Sequence, residues 1–155
     1  ATLFGLTLPR EHLVSRTLQL ERPAAEVFAV LADFAGHPRW RRGLTAVEAA
    51  GERHGRPAWR EVHARGRDVH LEVLESFPPT RLVTVLSGAR GGFCGSWQFD
   101  LSPSPRGCWV HLTERTGARK PLLRFALRYL WPRSHALETF LRDLAARFGE
   151  RPVLE

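Results

Sequence analysis

Val14, Leu18 and Leu20 alternate with Ser15, Thr17 and Gln19, and Arg16 falls on the apolar side. Period two marks a half-buried strand, so the first predicted element is a strand over 14–21. Pro23 follows at a helix start, where its missing N–H costs nothing. Val27, Phe28, Val30 and Leu31 then give a helical stripe that ends near Asp33. Residues 34–40 read as a second short helix or turn, broken at His37-Pro38 because the residue before a proline avoids the helical region.

Strands come next. The pattern predicts them over 43–49, 57–65, 68–77 and 81–87, with a turn at 51–55 and a stop at Pro78-Pro79. Gly88, Gly91, Gly92 and Gly95 mark a connection. Trp97, Phe99 and Leu101 alternate with Ser96, Gln98 and Asp100. A turn at 103–107 leads into a strand over 108–116, closing a hairpin. Pro121 opens a helix over 122–131, and Pro132 kinks or breaks it. Ser134 is a candidate N-cap for the next helix. There Leu137, Phe140, Leu141, Leu144, Ala145 and Phe148 form one apolar face, closed by Gly149. Consecutive strands on short turns pair antiparallel, and their apolar face needs a cover that the last helix supplies. The expectation is an α+β fold, a curved antiparallel sheet of about six or seven strands around a long C-terminal helix. A single domain spans 13–150, with an extension over 1–12 and a tail over 151–155.

Composition narrows the classes. The 155 residues carry a net charge of +7, and of 23 basic residues only Lys120 is a lysine. A basic surface attracts anions of every kind, so its sign alone names no partner. No recognition helix or RNA-binding signature accompanies it, and nucleic acid is not expected as a partner. Cys94 and Cys108 flank the hairpin out of register, beyond the roughly 7 Å that a disulfide spans. Free thiols suit a reducing, cytoplasmic setting. No run of 18 apolar residues occurs, as a spanning helix would need. The apolar opening Ala1 to Pro9 reads either as an ordinary extension or as the stub of a longer hydrophobic segment, which would anchor the domain at the inner membrane.

The element order and several stretches resemble the helix-grip superfamily called START/Bet v 1-like (SRPBCC), and within it the polyketide cyclase/dehydrase and lipid-transport group. The stretches are Leu20-Glu21-Arg22-Pro23-Ala24-Ala25-Glu26-Val27-Phe28, His37-Pro38-Arg39-Trp40, Trp97-Gln98-Phe99-Asp100-Leu101, Gly107-Cys108-Trp109-Val110 and Phe140-Leu141-Arg142-Asp143-Leu144-Ala145. Some bacterial members carry a transmembrane segment before a stretch like Leu8-Pro9-Arg10. The resemblance runs from about Pro9 to Gly149. It implies a cavity for an apolar or amphipathic ligand. It does not imply one reaction, so function is argued from the site.

No nucleotide-binding loop, nucleophile elbow or zinc-protease motif is present, and neither a cofactor nor a metal is expected. Polar candidates lie on the strands. On 68–77, Val69, Leu71 and Val73 point inward by alternation, leaving His70 and Glu72 outward. Two strands stay ambiguous. Trp59, Glu61 and His63 share one face of the second predicted strand, and Trp109, His111 and Thr113 share one face of the last. With the tryptophan faces inward, Glu61, His63 and His111 line the cavity and offer general acid–base groups. The expected cavity lining is Trp40, Trp59, Leu71, Val73, Trp97, Phe99, Trp109, Phe125, Tyr129, Leu137, Phe140 and Leu141. Arg119, Lys120, Arg124, Arg128 and Arg133 edge an amphipathic helix that suits an anionic membrane surface or a plain solvated face. The leading expectation is a non-catalytic carrier or sensor for a hydrophobic small molecule or lipid. The alternative is a cyclase or dehydratase on a polyketide-like aromatic precursor.

Overall fold

The computed structural model describes residues 11–65, 68–88, 93–118 and 133–155. Strand β1 (Glu11–Leu20) leads through helix α1 (Ala24–Ala32) and a 3₁₀ helix (Phe34–Arg39) into six strands. These are β2 (Leu44–Arg53), β3 (Arg56–His63), β4 (Asp68–Phe77), β5 (Arg81–Gly88), β6 (Phe93–Ser104) and β7 (Gly107–Ala118). Helix α2 (Arg133–Arg147) and a short strand β8 (Val153–Leu154) follow.

The strands form one sheet in the order β2-β3-β4-β5-β6-β7-β1-β8, antiparallel throughout. The meander β2 to β7 is local. Strand β1 comes first in the chain yet lies beside β7, so α1 and the 3₁₀ helix carry the chain to the opposite edge. This is the helix-grip architecture the pattern predicts. The eighth strand comes from the residues read as a tail, where Leu154 pairs with Leu18 and Val153 with Gln19.

The apolar stripe of α2 buries as its spacing requires. Leu137, Leu141, Leu144 and Ala145 are 0% exposed. They meet Leu18, Leu20, Leu82, Phe99, Leu101, Val110 and Leu112 on the inner face of the sheet, with Val27, Phe28 and Leu31 of α1. Each such leucine contributes roughly 2 kcal/mol by leaving water. Arg16, the exception in the β1 alternation, does face inward, and its Nε lies 3.3 Å from Glu138 Oε1 on α2.

Boundaries differ from the sequence pattern where glycines act. Strand β2 continues to Arg53 because a bulge between Ala49 and Glu52 absorbs Gly51 at φ 69°. The hairpin then turns on His54 and Gly55, at φ 55° and 73°. Two positive φ values make a two-residue turn whose twist matches the strands. Gly95 lies inside β6, not in the preceding connection. The β6–β7 turn is tighter than predicted, since Ser104 already pairs with Gly107. A Cβ on Gly107 would overlap the Leu20 carbonyl oxygen and lie 2.6 Å from the Arg22 nitrogen. The basic helix expected over 122–131, with Phe125 and Tyr129, lies outside the described residues.

Candidate functional site

The two ambiguous strands resolve in opposite senses. On β3 the tryptophan face is inward: Glu61 is 5% exposed, and the Trp59 ring lies 5.8 Å from that of Phe34. On β7 it is outward. Val110, Leu112 and Glu114 are buried against the core, while His111 is exposed and its Nδ1 lies 2.7 Å from Thr17 Oγ1. Trp109 shares that outer face, between Gln19 and Ser102 in the register. His111 and Trp109 are therefore corrected out of the inner lining. The reason is register, because Val110 pairs with Leu18 and Leu101, both core residues. Glu61 and His63 lie across the sheet from His111, so the three form neither an acid–base set nor a metal cluster.

The inward aromatic residues meet at Phe140 of α2. Its ring centroid lies 5.3 Å from Trp40, 5.1 Å from Trp97 and 5.4 Å from Phe99. Trp40, Trp59, Val73 and Trp97 are only partly buried against the core, whereas Leu71, Phe99, Leu137 and Leu141 are fully within it. The partly buried group is apolar surface that the core leaves incompletely covered. Edge-to-face contacts like Trp40–Phe140 and Trp97–Phe140 add about 1 kcal/mol each beyond area.

A polar chain edges this cluster. His37 Nε2 lies 2.8 Å from the Leu31 carbonyl oxygen, which only accepts, so Nε2 carries the proton. His37 Nδ1 then accepts from Arg41 Nη1 at 3.2 Å. The same Nη1 donates to Glu61 Oε2 at 2.6 Å, and His63 Nε2 donates to Glu61 Oε1 at 3.2 Å. The Arg41 guanidinium also sits 5.0 Å over the Phe140 ring. Burial, reinforced by the charge of Arg41, lowers His37 from 6.5 to about 4, so it is neutral. Burial alone would raise Glu61. The hydrogen bond from His63 and the charge and hydrogen bond of Arg41 outweigh it and hold the carboxyl at about 2.

Helix α2 pins this segment a second time. Asp143, 5% exposed, accepts the Arg42 backbone N–H at 3.0 Å. Sequence reasoning passed over Arg41, Asp143 and Glu114. Arg41 follows the Trp40 motif, but its partner Glu61 lies on a distant strand. Glu114 was legible only once the inward face of β7 was known. It accepts from Trp97 Nε1 at 2.9 Å. No three His, Cys, Asp or Glu side chains among the described residues are grouped to hold a metal. A surface hollow of about 320 Å³ lies elsewhere, at Phe77, Thr80, Arg81, Asp100 and Leu101. Its charges are already paired, Arg81 Nε to Asp100 Oδ1 at 2.9 Å.

A family model described as polyketide cyclase / dehydrase and lipid transport matches residues 11–149. The chain belongs to this family. Among solved structures, the family member is similar to a START superfamily protein from Mycobacterium smegmatis, at TM-score 0.70 and 18% identity over 88% of this chain and 96% of that one. It is also similar to the Zhui aromatase/cyclase from Streptomyces sp. R1128, at TM-score 0.71 and 15% identity over 88% and 93%. A conserved protein from Geobacillus kaustophilus gives TM-score 0.71 and 15% identity over 93% and 99%. At such identities the likeness is one of fold. No curated protein matches the sequence.

Proposed function

We propose that this polyketide cyclase/dehydrase and lipid-transport family protein binds and carries a hydrophobic or amphipathic small molecule between α2 and the inner face of its sheet. The observation that supports it is the ring cluster at Phe140, with partly buried Trp40 and Trp97 on either side. Such a surface offers a ligand large apolar contact at low entropy cost, and apolar walls with few polar groups typify small-molecule sites. No described helix is long and apolar enough to cross a membrane. We place the carrier in the cytoplasm, with an anionic membrane surface as a second partner for its basic residues.

The second reading, a cyclase or dehydratase on a polyketide-like precursor, draws on the Glu61–His63 pair beside the aromatic cluster and on the aromatase/cyclase named among the similar structures. The carrier reading is favoured because Glu61 is saturated. Held at about 2 and bonded by Arg41 and His63, it is too weak a base to move protons at neutral pH. Of the pair, this leaves His63 as the group able to move a proton.

The test is thermal denaturation of delipidated protein with 1-naphthol, a long-chain fatty acid and a sterol. At a hundredfold excess over Kd, a bound ligand adds about 2.7 kcal/mol and raises Tm by roughly 5–10 °C. A flat Tm across all three classes would remove the proposal.

A further inference from the structure

We propose a hydrogen-bonding subsite at Thr116 that selects ligands bearing a hydroxyl or primary amide at the end lying against β6 and β7. The proposal deepens the carrier reading and rests on it. Thr116 is 4% exposed, and among the described residues its Oγ1 has no hydrogen-bond partner. Buried hydroxyls are nearly always paired, so this one calls for a partner that the described residues do not supply, and a bound ligand is one such partner.

Thr116 pairs with Gly95 on β6, and Gly95 pairs with Leu86 on β5. On the β6 side of this inner-face row the glycine contributes no side chain beside the hydroxyl, and on the β1 side the register partner of Thr116 is His12. A glycine inside a strand often marks close approach of a ligand. The neighbouring row holds Thr84, Trp97 and Glu114, with Thr84 3% and Glu114 7% exposed. The indole N–H already donates to the carboxylate, which leaves Thr116 as the group to meet a ligand.

Strand geometry does not demand a hydroxyl here. Two rows further along, Leu82, Phe99 and Leu112 occupy equivalent positions, and Leu101 and Val110 follow them, all buried and apolar. Valine has the shape of threonine and would fill the place without an unpaired group. A hydroxyl or amide on the ligand donates to or accepts from Oγ1, whereas a plain hydrocarbon end leaves it orphaned.

The experiment compares 1-naphthol with naphthalene by calorimetry on the full chain and on Thr116→Val. We expect the wild type to prefer 1-naphthol about tenfold, equivalent to about 1.4 kcal/mol. The variant should bind both alike, with naphthalene affinity unchanged. Its Tm without ligand should equal or exceed that of the wild type, because an orphan hydroxyl has been replaced by a methyl. A preference for 1-naphthol that survives in Thr116→Val overturns the subsite. So does a fall in ligand-free Tm, since it would mean the hydroxyl is bonded within the protein. If neither ligand binds the wild type, the carrier reading itself fails for this class and takes the subsite with it.

Discussion

The two ends of the inner sheet face are built differently. At one end Leu18, Leu20, Leu82, Leu101 and Val110 meet Leu141 and Leu144, none more than 5% exposed. At the other the same strands carry Arg16, Thr84, Glu114 and Thr116, with Glu61 and His63 further along the sheet on β3. The strands are continuous across both ends, so the contrast is one of side chains alone. The dry end holds the fold. The polar end gives up some of that stability for groups that, in the proposed carrier, would fix a ligand's orientation. Native stability is only about 5–15 kcal/mol, so such a division is tolerable where the dry end is well packed.

The largest expected effect lies at the dry end. Leu141→Ala should cost about 4 kcal/mol through lost burial and the cavity left behind. Urea denaturation measures it. Ligand affinity, read on the folded fraction, should stay within twofold. A comparable loss of affinity would mean that the two ends are not separable.

Next in size is the ion pair at the polar end. Glu61→Gln leaves Arg41 buried, at 14% side-chain exposure, without a countercharge. We expect about 3 kcal/mol of destabilisation. The double change Arg41→Met with Glu61→Leu should recover most of it, because replacing both buried charges is often close to neutral. If the double variant is as unstable as the single one, packing rather than charge governs this site.

How much of this contrast the sequence carries depends on the element. The α2 stripe and the β6 alternation were legible because each is a local periodicity that tertiary structure had only to use. The faces of β3 and β7 were not. Tryptophan tolerates half-burial on either side of a sheet, and β7 has Val110 and Leu112 competing with Trp109 for the inside. Pairing decides it, with Leu18 and Leu101 flanking Val110, and pairing is non-local. Arg41 was illegible for the same reason, since its role exists only once β3 and the 3₁₀ helix have met. Arg16, an anomaly in the alternation, proved a true inward charge with Glu138 as partner.

The polar end also makes stability sensitive to acid. His37 has its pKa lowered from 6.5 to about 4, so only the unfolded chain takes up a proton in that window. Stability present above pH 6.5 should fall as pH drops from 6.5 to 4, by an amount on the order of 2 kcal/mol. Glu61, lowered from 4.5 to about 2, should remove more as pH falls from 4.5 towards 2. The groups facing His37 are Arg41, Glu61 and Asp33. In His37→Phe the first step should vanish from a urea series at different pH, whatever the variant's starting stability. A step that persists would assign the titration to another group.

The smallest effects on stability separate carriage from catalysis. His63 has 30% side-chain exposure and donates to Glu61, and Gln at that position keeps a donor. His63→Gln and His111→Ala should each change stability by about 0.5 kcal/mol or less. A carrier should bind 1-naphthol unchanged in both. An enzyme that uses the histidine as general acid or base should lose about 10²-fold in turnover of an aromatic polyketide precursor in His63→Gln, and nothing in His111→Ala. His111 is the control because it faces the opposite side of the sheet, hydrogen-bonded to Thr17. Turnover that falls only with His63 would overturn the carrier reading and leave the aromatic cluster as the wall of an active site. Equal binding with no turnover in any form would leave the Glu61–His63 pair a structural brace, tying β3 to the segment that presents Trp40.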